Sequence, residues 1–188
     1  MTFEEMKELP EEEQNKLFKK LKAIRAKAKT VNYAAQYGVG KETLSRNSGL
    51  SVKESAKLLE VYWKRNWAAK KVAEEAIVKE VYGQKWLFNP ISGFYYNLRA
   101  EKDRLSTLVQ SSSAYTFDLF MKYIREQGIK ISAEFHDEAL IEIPDEEIIK
   151  DSIKDKVKEA MNKVNKELNL NITLQHSTAF GYSYDEVH

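Results

Sequence analysis

Apolar residues fall at helical spacing through the first eighty positions, at alternate positions from Ile129 to Ile143, and at helical spacing again beyond Asp145. From about Phe3 to Lys79, alanine, leucine, lysine and glutamate are interrupted by Gly38, Gly40 and Gly49, which predicts three or four helices. Pro10 suits the first turn of a helix that follows Leu9. Ser51 with Glu54 three residues on has the pattern of a capping box. Leu58, Tyr62 and Trp63 would then face a core, and Trp67, four residues past Trp63, is expected to pack there too.

Between Tyr82 and Asn97 the chain changes to Gly83, Asn89, Pro90 and Gly93 mixed with Trp86, Phe88, Phe94, Tyr95 and Tyr96, which predicts a hairpin or loop pair and a hinge between lobes. The cluster Phe94-Tyr95-Tyr96 reads as core packing. From Asp103 to Glu126, Leu105, Leu108, Val109, Tyr115, Leu119 and Ile124 predict a long helix closed by Gly128. Ile129, Ile131, Ala133 and Phe135 then alternate with Lys130, Ser132 and Glu134, and Ala139, Ile141 and Ile143 alternate with Leu140 and Glu142 up to Pro144. Two strands joined at His136-Asp137-Glu138 fit this pattern. Asp145 is placed to cap a helix carrying Ile149, Ile153, Val157, Ala160, Val164 and Leu168, with a short strand near Ile172 to Leu174. The expected fold class is α+β: a helical lobe, and a second part with a small antiparallel sheet and flanking helices.

At 188 residues and 43% hydrophobic content, one compact domain or two small lobes can bury a core. The absence of cysteine excludes disulfide scaffolds, zinc ribbons and thiol nucleophiles, and makes a reducing cytoplasm the plainest setting. No apolar run approaches the roughly 20 residues that span a bilayer, and an acidic start with Glu4, Glu5 and Glu8 is unlike a signal peptide. The expectation is a cytoplasmic protein without a membrane. A net charge of +1 conceals an acidic stretch from Glu4 to Glu13 followed by Lys16, Lys19, Lys20, Lys22, Arg25, Lys27 and Lys29. By itself such a run reads as a solvated helical face, although it can also meet phosphates.

Two constellations carry candidate chemistry. Adjacent carboxylates where two strands meet can project hard oxygen donors into a cleft, the ligand type magnesium prefers, while a turn rich in Asp and Glu is otherwise simply solvated. Arg25, Lys29, Tyr33 and Tyr37 recur every four residues and lie along one stripe of a helix. Two cations and two aromatics on one face suit a nucleoside triphosphate, the cations meeting phosphate oxygens and a ring packing on base or sugar. An amphipathic helix with buried tyrosines is the plainer alternative.

The spacing Lys29-x-x-x-Tyr33-x-x-x-Tyr37-Gly38, with Arg25 four residues ahead, resembles the nucleotide-binding fingers helix of family A DNA polymerases. His136-Asp137-Glu138 resembles the later palm motif of that family. Leu105-Ser106-Thr107-Leu108-Val109-Gln110-Ser111 looks like its helix whose glutamine faces the primer-template minor groove. The order and separation of the three make the match, which covers roughly Ile24 to the C-terminus.

The resemblance implies template-directed nucleotidyl transfer from dNTPs to a primer 3′-hydroxyl with two magnesium ions. Lys29 would contact the incoming phosphates and act as general acid toward pyrophosphate, and Arg25 would hold the terminal phosphate. Tyr33 would pack beside the sugar and Tyr37 near the templating base. Gln110 would read minor-groove acceptors common to all correct pairs. Asp137 would be the metal ligand, Glu138 an accessory acid, and His136 a contact to the primer end. The implied organisation is an N-terminal helical extension at 1–22, a fingers portion at 23–81 and a palm portion at 82–188.

The chain departs from the family in lacking the earlier Asp-Tyr-Ser-type palm motif, whose aspartate shares both metals with the later one. Ala34 replaces a usual glycine, Ser106 stands where asparagine is common, and Phe94 follows Gly93 where a basic residue is usual. The expectation is therefore one half of a split polymerase, or a fragment of a longer one. It would bind DNA primer-template and dNTP, be inactive by itself, and be completed by a second polymerase chain carrying the missing aspartate. A bacteriophage source, and with it a host cytoplasm, would suit so short a chain. The alternative is a non-catalytic DNA- or nucleotide-binding module derived from the same fold.

Overall fold

The computed structural model describes residues 9–187, apart from the side chain of Lys27. Phe3, Glu4, Glu5 and Glu8, named above, lie outside the described residues. The chain forms two compact units, one within Met1–Leu87 and Asn97–Leu108, the other from Phe88–Tyr96 and Val109–His188.

The first unit is mainly helical. Helix α1 runs unbroken from Glu11 to Gln36 with Pro10 at its N-cap, and is followed by α2 (Lys41–Ser48), α3 (Val52–Arg65) and α4 (Trp67–Glu75). Four helices thus fill the described part of the stretch predicted to hold three or four. The capping box at the start of α3 forms as its sequence requires: Glu54 N–H donates to Ser51 Oγ at 3.2 Å, and Ser51 N–H donates to Glu54 Oε2 at 2.9 Å. The Ser51 hydroxyl also donates to Glu54 Oε2 at 2.6 Å, and this bond, then the one from Ser51 N–H, holds the Glu54 carboxyl below its ordinary value. Ala35 and Leu44 are fully buried, and a second cluster joins Leu87, Leu98 and Leu108 to Ala76 and Val78. Arg104 donates to the carbonyls of Glu74 and Ala76 at 3.2 and 3.3 Å, satisfying acceptors that the end of α4 leaves open.

The expectation for Trp67 is overturned. Its ring is 64% exposed, because the helix breaks at Asn66 (φ −101°, ψ 34°) and the four-residue spacing from Trp63 no longer runs along one continuous surface. Trp63 instead meets its neighbour Tyr62 edge to face, centroids 5.1 Å apart.

Strands β1 (Val78–Val81), β2 (Gln84–Asn89) and β3 (Phe94–Asn97) form a sheet in that order, with β1 and β2 antiparallel. Tyr82 and Gly83 both adopt positive φ, 52° and 75°, as a two-residue hairpin turn demands. The aromatic cluster is less buried than expected: Phe94 is 60% and Tyr95 37% exposed, on a short strand at the edge of the sheet, and only Tyr96 is half-buried.

The second unit packs the long helix α5 (Arg104–Glu126), from Val109 on, against α6 (Glu147–Leu168). Met121, Ile124, Ile129, Val157 and Ala160 form one buried cluster, and Leu119, Met161 and Val164 another. Gly128, at φ 76°, ends α5 as expected. Between the helices lies the hairpin of β4 (Ala133–Phe135) and β5 (Glu138–Leu140), shorter than the alternation predicts. Ser132 N–H still donates to the Leu140 carbonyl at 2.8 Å, one step beyond the ladder.

Two further expectations fail here. No strand forms near Ile172 to Leu174; the Asn165 carboxamide takes the place of a neighbouring strand, donating to the Leu174 carbonyl at 2.9 Å and accepting from its N–H at 2.7 Å. Nor does Asp145 cap α6, whose N-cap position is Glu146. Asp145 is held elsewhere: it pairs with Lys150 at 2.6 Å and accepts a hydrogen bond from Tyr182 at 2.6 Å. The described residues close with a single turn, α7 (Tyr184–Val187).

Candidate active site

Helix geometry alone carries Arg25, Lys29 and Tyr33 along one exposed stripe of α1, in the first unit. Lys29 Nζ lies 5.5 Å from the Tyr33 ring centroid, within cation–π range, so cation and aromatic already act as a pair. Tyr33 and Tyr37 are 46% and 47% exposed, so neither is a buried core tyrosine.

Tyr37 is the C-cap residue and Gly38 follows in the left-handed region at φ 65°. Gly38 N–H reaches the Ala35 carbonyl at 3.0 Å and Val39 N–H reaches that of Ala34 at 2.9 Å, a Schellman closure. A Cβ on Gly38 would also lie 3.0 Å from the Lys102 carbonyl oxygen, so two independent constraints select glycine after Tyr37.

Gln110 stands exposed on α5 in the second unit. The same unit holds the His-Asp-Glu turn. Phe135 pairs with Glu138, so only His136 and Asp137 connect β4 to β5. A connection this short needs positive φ, and His136 supplies it at 52°, a conformation His, Asn and Asp tolerate better than most. Asp137 is thereby presented at the exposed tip of the turn, and Glu138, half-buried, opens β5. Ala139 packs on the core of the unit, so alternation points Glu138 to the other face. An ion pair between Arg125 and Glu134 ties β4 back to the end of α5.

Carboxylate oxygens suit a hard cation such as magnesium, and Asp137 and Glu138 fit that donor chemistry. Their number does not complete a cage. Among the described residues no three His, Asp or Glu side chains stand together as a metal-binding group. Nor, among those residues, is any helix long and apolar enough to cross a membrane.

Sequence reasoning missed two supports of these positions. One is the C-terminal segment beside the turn: the Tyr184 ring lies 6.1 Å from that of Phe135, and Tyr182 is anchored on Asp145. The hydrogen bond from Lys150, then that from Tyr182, holds the Asp145 carboxyl below its ordinary value, while Asp145 raises both Lys150 and Tyr182. The other is a buried contact of Asn89 with Ser111 and Ser112, next to Gln110. Its signal in the sequence was three consecutive serines in a helix, opposite an Asn-Pro step.

The family described as DNA polymerase family A matches residues 2–186. The DNA polymerase I of Caldicellulosiruptor bescii is 30% identical over 148 residues, taking in 69% of this chain and 17% of that protein. That of Bacillus subtilis is 26% identical over 145 residues, 67% of this chain and 16% of that protein. The thermostable DNA polymerase I of Thermus thermophilus is 27% identical over 135 residues, 64% and 16%. The chain thus corresponds to 16–17% of the length of these relatives. Among solved structures, the POL domain of Pol1 from M. smegmatis, in complex with DNA primer-template and dNTP, has the same fold over 76% of this chain and 28% of that one, with a TM-score of 0.58 and 18% identity.

Proposed function

Since the chain belongs to DNA polymerase family A, we propose that it is the C-terminal fingers and palm portion of a DNA-directed DNA polymerase, completed by a further aspartate on a separate chain or segment. The observation that supports this best is the two-residue turn that presents Asp137 with Glu138 at the head of β5. It follows, in chain order, the cation–aromatic stripe of α1 and Gln110.

In this reading a primer 3′-hydroxyl attacks the α-phosphate of a dNTP, the bond to pyrophosphate breaks, and the primer grows by one nucleotide. Two magnesium ions would supply charge stabilisation for the attacking and leaving oxygens. Asp137 would furnish one carboxylate toward them, and Glu138 an accessory one. Arg25 would hold the terminal phosphate. Lys29 would hold the adjoining phosphates and give its Nζ proton to the departing pyrophosphate. The cation–π contact of Lys29 with Tyr33 would keep that ammonium on the stripe while Tyr33 packs beside the sugar and Tyr37 near the templating base. Gln110 and His136 would contact DNA, the former in the minor groove and the latter at the primer end.

Complementation tests the proposal. This chain mixed with an upstream chain that carries the palm aspartate, primer-template, magnesium and dNTPs should extend the primer, while neither chain does so alone. No extension with any of several such partners would overturn it and leave a DNA- or nucleotide-binding module as the better reading.

A further inference from the structure

Asn89 is fully buried and polar, the last residue of β2 before the loop to β3. Every part of its carboxamide is engaged. Nδ2 donates to Ser111 Oγ at 2.6 Å and to Ser112 Oγ at 2.9 Å, and Oδ1 accepts from Ile91 N–H at 2.8 Å. The Asn89 carbonyl accepts from Gly93 N–H at 2.9 Å, which folds the loop on itself. The start of β3 meets α5 one turn on, where the rings of Phe94 and Tyr115 stand edge to face, centroids 6.5 Å apart. Ser111 is 7% exposed, whereas Gln110, its neighbour in sequence, is exposed.

The apolar stripe of α5, through Leu119, Met121 and Ile124, sets the rotation of the helix only coarsely, since a small turn about its axis keeps that stripe in the core. A buried amide sets it more finely, because any rotation that removes its partners strands it in a dry site at a cost of several-fold in stability. A small turn of α5 is enough to draw both serines out of hydrogen-bond range of Nδ2. It would also swing Gln110 away from its present direction. We propose that Asn89 is a positioning residue: it fixes the rotation of α5 about its own axis and thereby aims Gln110. This deepens the polymerase proposal and rests on its reading of Gln110 as the minor-groove contact. Asn89, being buried, acts on that contact only through the helix.

The test uses the full chain and two primer-template duplexes whose primer-terminal adenine is intact or replaced by 3-deazaadenine, which lacks the minor-groove N3 acceptor. The native chain should bind the intact duplex about fivefold more tightly by fluorescence anisotropy, the value of one hydrogen bond. In Asn89→Leu that ratio should fall close to one, while affinity for the 3-deazaadenine duplex and the melting temperature stay near native. Leucine keeps the branched shape of asparagine, the freed serine hydroxyls can turn to carbonyls of their own helix, and the N–H of the exposed Ile91 can turn to water. Gln110→Ala, run alongside, reports on the reading beneath. If Gln110→Ala abolishes the ratio and Asn89→Leu preserves it, the positioning role is overturned. If the native chain shows no ratio, the Gln110 contact is itself wrong and the positioning role falls with it. Should Asn89→Leu fail to fold, Ser112→Ala removes one of the two donations and must lower the ratio part-way; an undiminished ratio there overturns the proposal equally.

Discussion

Gly38 illustrates how a single residue can be held by two separate constraints. Its φ of 65° is costly for any residue with a Cβ, and that Cβ would press on the Lys102 carbonyl oxygen 3.0 Å away. Gly49 has a similar φ, 72°, with nothing within 4 Å of its Cβ position. Gly49→Ala should therefore cost about 1 kcal/mol from backbone strain alone, and Gly38→Ala on the order of 2 to 3 kcal/mol. Urea unfolding of the two variants side by side checks the difference, and equal losses would show that the Lys102 carbonyl yields freely. Ser55 presents the opposite case. It is fully buried on α3, and its hydroxyl has no hydrogen-bond partner among the described residues. Removing that hydroxyl leaves one fewer buried polar atom to desolvate, so Ser55→Ala should be neutral or stabilising by up to about 1 kcal/mol. A clear drop in the urea midpoint would reveal a partner for the hydroxyl in solution.

At the scale of elements, the C-terminal segment is fastened to the start of α6 through charge. The Asp145 carboxyl is lowered by its hydrogen bonds from Lys150 and Tyr182, so its contribution is complete above the ordinary aspartate value of about 4. It is lost as pH falls through the lowered folded value. Lys150 and Tyr182 are both raised, so their contributions are complete below about pH 10 and are lost as pH climbs past it. The junction should hold between those limits. Asp145→Asn should accordingly be less stable than the native chain at pH 7, with the gap in denaturant midpoint closing as pH falls from 4 toward 2. A gap of constant size across that range would mean that charge is not what fastens the segment.

Elements were legible in the sequence where one local rule decided them. The Ser51-Glu54 box, the glycine stop of α5 and the alternating strands around His136-Asp137-Glu138 each needed only neighbours in the chain. Trp67 was misjudged because periodicity does not register a helix break at Asn66. Asp145 was misjudged because its partner Tyr182 lies 37 residues away. The strand near Ile172 was misjudged because a side-chain amide, Asn165, can satisfy backbone groups as well as a strand can. The candidate residues could be named from their types and order alone, but the contacts beside them at Asn89 and Tyr184 are long-range ones that no local pattern carries.

For the whole molecule, the candidate groups are divided between units. The cation–aromatic stripe belongs to the first and the carboxylate turn to the second, and the chain corresponds to only 16–17% of the length of the polymerases it is similar to. Activity on the proposed reading is thus a property of an assembly, and the two carboxylates of the turn should not contribute equally to it. Asp137 stands exposed at the tip, placed for direct coordination, whereas Glu138 is half-buried at the head of the strand. In a complemented assembly Asp137→Ala should lower primer extension on the order of a thousandfold or more, since it removes a group that acts on charge developing in the reaction. Glu138→Gln should lower it by about tenfold, as expected of a group that supports a ligand without replacing it. Binding of primer-template should survive both changes and even tighten slightly, because each removes a negative charge from a surface that meets phosphates. Extension rates and duplex affinities measured on the same preparations separate these effects. Equal losses for the two variants, or a loss of extension that merely follows a loss of DNA binding, would take the metal-ligand role away from Asp137 and return the turn to a purely structural one.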